Sequence, residues 1–74
     1  MSQDIQNIFM EELRAKEVAV TIFLVNGVKL QGIITGYGEN TVLLRRDGFT
    51  QLIYKHSIST IMPGIAIDIE IPNN

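Results

Sequence analysis

The chain predicts a mainly β domain, in which an N-terminal α-helix is followed by a five-stranded, strongly bent antiparallel barrel that assembles into a ring. Three observations carry that expectation. Hydrophobic residues keep helical spacing up to about Lys16 and alternate with a period of two from Val18 onward. Asn26-Gly27 and Asp47-Gly48, both strong hairpin signals, divide the alternating stretch. The chain has 74 residues and no cysteine, which bears on how so small a domain is supported. A domain of this size buries only about 60% of its unfolded surface. The usual supports are disulfides, a metal or self-association. Without cysteine the first is excluded, and one histidine builds no zinc site within one chain. Self-association remains, and no cofactor is expected.

The elements follow in order. Ile5, Ile8, Phe9, Leu13 and Lys16 keep i, i+3, i+4 spacing, so the first segment is a helix with one packing stripe, Asp4 as its N-cap and Glu11 and Glu12 facing solvent. So short a helix needs a surface to pack on. Val18, Val20, Ile22 and Leu24 alternate with Ala19, Thr21, Phe23 and Val25 in a first strand whose two faces are both fairly apolar. Asn26-Gly27 is expected to turn with positive φ at both residues. The second strand runs from Val28 to Tyr37, and Gly32 and Gly36 mark it for a bend or a close backbone approach. Gly38-Glu39-Asn40 is a turn, Thr41 to Arg46 a third strand and Phe49 to Tyr54 a fourth. Lys55-His56 is long enough only for a tight turn. Ser57 to Met62 is a fifth strand, stopped by Pro63-Gly64. Residues 1–64 are expected to be the domain and 65–74 a tail. The strict alternation of Ile65, Ile67, Ile69 and Ile71 makes that tail a candidate sixth strand.

Charge limits the partners. The net charge is −2, which disfavours broad polyanion binding. Asp68 and Glu70 lie in the tail, so residues 1–64 hold six basic and six acidic groups. A nucleic-acid site must then be a focused patch. No apolar run approaches the roughly 18 residues needed to span a membrane. Met1-Ser2-Gln3-Asp4 lacks the basic start of a signal peptide, and a cytoplasmic location is expected. Catalysis is not: there is no glycine-rich phosphate loop or paired acids. Ser57 beside Lys55-His56 lacks a nearby acid and triad geometry.

Two segments carry a resemblance. Val25-Asn26-Gly27-Val28-Lys29-Leu30-Gln31-Gly32 resembles the first Sm motif of the Hfq family of bacterial RNA chaperones, a branch of the Sm-like (LSm) proteins. Leu52-Ile53-Tyr54-Lys55-His56-Ser57-Ile58-Ser59-Thr60 resembles the second, and Ile5-Gln6-Asn7-Ile8-Phe9 is similar to the start of the family's helix. The similarity runs from about Ile5 to Pro63. It implies an Sm-like barrel, a homohexameric ring and binding of single-stranded RNA, with small RNAs and messenger RNAs as partners in post-transcriptional regulation.

The resemblance also implies site residues. On the helix-bearing, pore face, Gln6, Lys55 and His56 match the positions of a uridine pocket, with Glu39 and Asn40 beside them. Lysine suits a phosphate, and histidine or glutamine a base edge or ribose hydroxyl. Asn40 stands where the family usually has a second aromatic that stacks on the base, and stacking is worth about 1–3 kcal/mol. On the opposite face, Phe23, Asn26, Gly27, Val28, Lys29, Leu30, Gln31, Gln51 and Thr60 match purine-binding pockets. There Phe23 can stack a base, and Gln31 and Gln51 can pair with an adenine edge. On the rim, Arg14 and Lys16 stand where many members carry an arginine cluster. Arg45-Arg46 is the only adjacent basic pair. The alternative function is a ring of reduced RNA affinity that serves as a protein-interaction scaffold, which Glu39, Asn40 and the isoleucine-rich tail favour.

Overall fold

Helix and strands form where the change of period places them. The structure, a computed structural model, describes residues 5–67. The elements are α1 (Ile5–Ala15), β1 (Ala19–Leu24), β2 (Lys29–Tyr37), β3 (Thr41–Arg46), β4 (Phe49–Tyr54) and β5 (Ile58–Pro63), with one 3-10 turn at Lys55–Ser57. All strand pairs are antiparallel, in the order β4-β3-β2-β1-β5. The sheet is bent but not closed, and β4 and β5 are its edges. The Asp4 cap and the tail strand beyond Ile67 lie outside the described residues. Residues 65–67 form no strand, but Ile67 packs on the core. Among the described residues no helix is long and apolar enough to cross a membrane.

The helix buries a narrower strip than its spacing predicts. Met10 and Leu13 are its buried residues and Phe9 is half-buried, while Ile5 is exposed. The sheet covers only one strip of α1, and Met10, absent from the expected stripe, faces it. The chain then leaves the helix through a reciprocal pair of bonds. Val18 N–H donates to Leu13 O at 3.2 Å and Glu17 N–H to Arg14 O at 3.3 Å. This cap requires a left-handed residue at its centre, and Glu17 takes φ +50°. A side chain is strained in that conformation and glycine is not. Glu17→Gly is therefore expected to stabilise the fold by about 0.5–1 kcal/mol. The readout is a higher urea midpoint at fixed protein concentration with an unchanged slope.

The two hairpins differ. Asp47 and Gly48 both have positive φ, +54° and +82°, as a two-residue mirror turn demands. At Asn26-Gly27 only Gly27 does, at +93°, contrary to the expectation from sequence. Gly27 N–H donates to Leu24 O at 2.9 Å and Leu24 N–H to Val28 O at 2.8 Å, which closes a three-residue loop. The Asn26 side-chain oxygen accepts from Val28 N–H at 3.0 Å. That local bond holds Asn26 outside the left-handed region.

The bend in β2 has two components. Its register against β3 shifts between Ile34 and Gly36, a bulge that bends and twists the strand. At Gly32 the backbone of β3 comes so close that a Cβ would stand 2.6 Å from Arg45 O and 3.0 Å from Leu44 Cγ. The bend wraps the sheet around a core of Met10, Leu13, Val18, Val20, Ile22, Ile34, Val42, Leu44 and Ile53. A second register shift lies between Phe23 and Leu24 where β1 meets β5. Both open edges carry exposed apolar side chains, Phe49, Leu52 and Tyr54 on β4 and Met62 on β5.

Candidate nucleic-acid interface

At the end of the sheet that α1 covers, the helix, the β2–β3 connection and the 3-10 turn meet. Gln6 and Asn7 from α1, Tyr37, Gly38 and Glu39, and Lys55 from the turn line one cavity. Lys55 Nζ lies 5.8 Å from the centroid of the Tyr37 ring, within reach of a cation–π attraction. The backbone holds the lysine there, because Lys55 N–H donates to Asn40 O at 2.8 Å. Asn40 thus supports the site through its main chain, while the residue itself is exposed beside the cavity. His56 is not in the lining either. Its ring stacks on Tyr54, with centroids 5.8 Å apart and an interplanar angle of 30°. Of the expected pore-face residues, Gln6, Glu39 and Lys55 come together within one chain, and His56 and Asn40 stand outside. Asn7 and Tyr37 are additions.

Tyr37 also connects this cavity to the rim. Its hydroxyl donates to Glu11 Oε1 at 3.0 Å, and Arg14 Nε donates to the same carboxylate oxygen at 3.0 Å. Arg14 Nη2 meets Glu11 Oε2, so the arginine grips the carboxylate with both arms. The hydrogen bond from Arg14, then that from Tyr37, lowers the Glu11 pKa. The bond to Glu11 raises that of Arg14. Desolvation, then the bond to Glu11, raises that of Tyr37. Lys16 pairs with Glu12 one turn away. Both rim cations are thus engaged by carboxylates of α1 one turn back, in surface pairs of small energy.

On the opposite face the bend of β2 brings two separate stretches together. Lys29, Leu30 and Gln31 share one cavity with Gln51, and Arg46, Asp47 and Phe49 complete its lining. Beside it runs a row across three strands, since Phe23 pairs with Lys29 on β2 and with Thr60 on β5. Lys29 Nζ lies 5.9 Å from the centroid of the Phe23 ring. Asn26, Gly27 and Val28 form the adjoining loop, with Val28 exposed. The face therefore offers an aromatic ring, a lysine and two side-chain amides, with Asp47 the one carboxylate in the cavity lining. Sequence reasoning singled out Arg46 only as half of a basic pair, and it missed Phe49, whose one signal was its position after a mirror turn that folds back toward Gln51. Among the described residues there is no group of three acidic or histidine side chains that could hold a metal ion.

Comparison with known proteins shows the family and the fold. The profile of the family described as Hfq protein matches residues 5–68. The chain belongs to the Hfq family. RNA-binding protein Hfq of Granulibacter bethesdensis is 59% identical over 68 residues, covering 92% of this chain and 73% of that protein. RNA-binding protein Hfq of Bartonella bacilliformis is 57% identical over 68 residues, covering 92% and 86%. A crystal structure of the pleiotropic translational regulator, Hfq, superposes with a TM-score of 0.77 at 39% identity, covering 80% of this chain and 98% of that one. The helix, the five antiparallel strands and the bent, open sheet are those of the Sm-like fold of this family.

Proposed function

We propose that the chain is a cytoplasmic RNA-binding ring of Hfq type that holds single-stranded RNA and assists the pairing of small RNAs with messenger RNAs. It acts by binding rather than by catalysis. The observation that carries this reading is the meeting of Gln31 and Gln51 in one cavity beside the Phe23–Lys29–Thr60 row. Two amides offer paired donors and acceptors to an adenine edge, the phenyl ring offers a stacking plane and the lysine suits a phosphate. Family membership and this intact face favour RNA binding over a scaffold role.

The two faces are unequal in this proposal. Gln6 and Lys55 take uridine-rich RNA on the pore face, with His56 of a neighbouring chain or the Tyr54 stack at its border. No aromatic ring stands at Asn40, and Glu39 lines the cavity, so this face binds more weakly. The rim contributes little annealing, because it carries one arginine and one lysine among Glu11, Glu12 and Glu17 in place of an arginine cluster. The ring forms by pairing β4 of one chain with β5 of the next, and a homohexamer is the closed form proposed.

Fluorescence anisotropy with labelled oligo-A and oligo-U at two salt concentrations tests the reading. Oligo-A is expected to bind more tightly. Phe23→Ala is expected to weaken oligo-A by about five- to hundred-fold and leave oligo-U unchanged, as the loss of one stacking plane predicts. Lys55→Ala is expected to do the reverse. Failure of both oligonucleotides to bind at low salt overturns the RNA-binding proposal.

A further inference from the structure

The β3–β4 hairpin carries a ring to which the proposed function assigns no role. Phe49, the first residue of β4, is 76% exposed, more than any other large hydrophobic side chain among the described residues. A single exposed hydrophobic side chain is ordinary on a protein surface. What distinguishes Phe49 is its company. It lines the same cavity as Gln31, Gln51 and Lys29, and it pairs across the hairpin with Arg46. An apolar protein partner would find little more than one phenyl ring here, framed by amides and cations. A single-stranded nucleic acid finds a plane for a base and a cation for a phosphate. The one acid at the site, Asp47, pairs with Arg46 at 3.5 Å with both side chains largely exposed. Such a pair is weak, and a phosphate competes for the guanidinium.

We propose that Phe49 and Arg46 form an additional nucleotide subsite, in which Phe49 stacks one base and Arg46 contacts a phosphate of the strand that occupies the Gln31–Gln51 cavity. The subsite rests on the RNA-binding reading given above and extends it outward along the β3–β4 hairpin. A phenyl ring has no hydrogen-bonding edge, so the subsite tolerates any base. It lengthens the bound segment without adding sequence selectivity. The mirror turn at Asp47-Gly48 holds the two side chains together, because it fixes the Arg46–Phe49 pair.

The chain contains no tryptophan, which gives a direct test. Phe49→Trp places the sole indole at the subsite. Saturation with oligo-A is expected to quench its emission while anisotropy shows wild-type affinity. Phe49→Ala is expected to weaken oligo-A by about five- to hundred-fold, and Phe49→Tyr to retain affinity. Arg46→Gln is expected to reduce the salt slope of binding by about 0.7, the share of one single-strand phosphate. Unchanged indole emission on a saturated ring overturns the subsite. So does wild-type affinity of Phe49→Ala when Phe23→Ala is weakened, a result that leaves the RNA-binding reading standing. A change of oligomer size in Phe49→Ala, measured by light scattering, overturns it in favour of a second chain covering the ring. Absence of oligo-A binding in the unmodified protein removes the RNA-binding reading itself.

Discussion

Leu52→Asp combined with Met62→Asp is expected to split the ring into single chains and to lower affinity for a long oligoadenylate by about a hundred-fold or more. The strands β4 and β5 end the sheet order, so each presents a row of unpaired backbone groups that invites another strand. Leu52 on β4 and Met62 on β5 are each 54% exposed, which leaves apolar surface along both edges. Joining β4 of one chain to β5 of the next is a head-to-tail contact, and repeated rotation closes it. Aspartates on both edges put like charges into that seam, where desolvation is costly. Neither side chain is buried within one chain, so the substitutions leave the core intact, and the far-UV spectrum reads whether the separated chain keeps its fold without a neighbour's support. Light scattering reads the mass. The loss of affinity follows from multivalency, since a long strand engages several identical faces of a ring but only one face of a single chain. A variant of wild-type mass would show that these edges do not make the assembly. A single chain with full affinity would show that the ring adds nothing to binding.

Gly32→Ala is expected to cost about 2 kcal/mol and to lower the melting temperature by about 10 °C at fixed protein concentration. The added methyl would stand 2.6 Å from Arg45 O, a backbone atom, with Leu44 Cγ at 3.0 Å behind it. A flexible side chain could swing aside, but a main-chain carbonyl within the β2–β3 ladder can move only by displacing the strand. Gly36→Ala is the matched control. Its methyl would meet the Leu43 side chain at 3.4 Å, an ordinary contact, and stability is expected to change by no more than about 0.5 kcal/mol. Scanning calorimetry of the two variants separates a steric requirement for glycine at one position from mere tolerance at the other. Equal losses at both would show that the bulge between Ile34 and Gly36 also depends on glycine.

These two glycines show how far the sequence could be read. Their position inside an alternating run announces a bend, and β2 is bent there. Nothing in that run says that Gly32 is pressed against Arg45 and Gly36 is not, because the difference depends on a strand more than ten residues away. The candidate site divides similarly. The residue types were legible: Phe23, Gln31, Gln51 and Lys55 suit nucleic acid wherever they stand, and the motif resemblance placed them on two faces. Their grouping was less so. His56 stacks on Tyr54 and stays outside the cavity of its own chain. Arg14, expected to be a rim cation, is gripped by Glu11, and Tyr37 reaches the same carboxylate from β2. The Arg14–Glu11 pair lies within one helix and could be foreseen from spacing. The tyrosine could not.

The sequence by itself determined the number, kind and order of the elements. Period 3.6 and period 2 are local properties of the chain, and turn residues such as Asp47-Gly48 and Gly27 act on the few residues around them. It also excluded disulfide support, since the chain has no cysteine, and so led to the expectation of self-association. Only the tertiary structure decided which strip of α1 is buried, with Met10 inward and Ile5 outward, and that Asn26 keeps its side chain bonded to Val28 N–H rather than entering a mirror turn. Only the tertiary structure brought Phe49 and Arg46 to Gln31. Those outcomes depend on the curvature of β2, set by a close backbone contact and a bulge. Curvature sums small backbone rotations along a strand, and no single residue type records that sum.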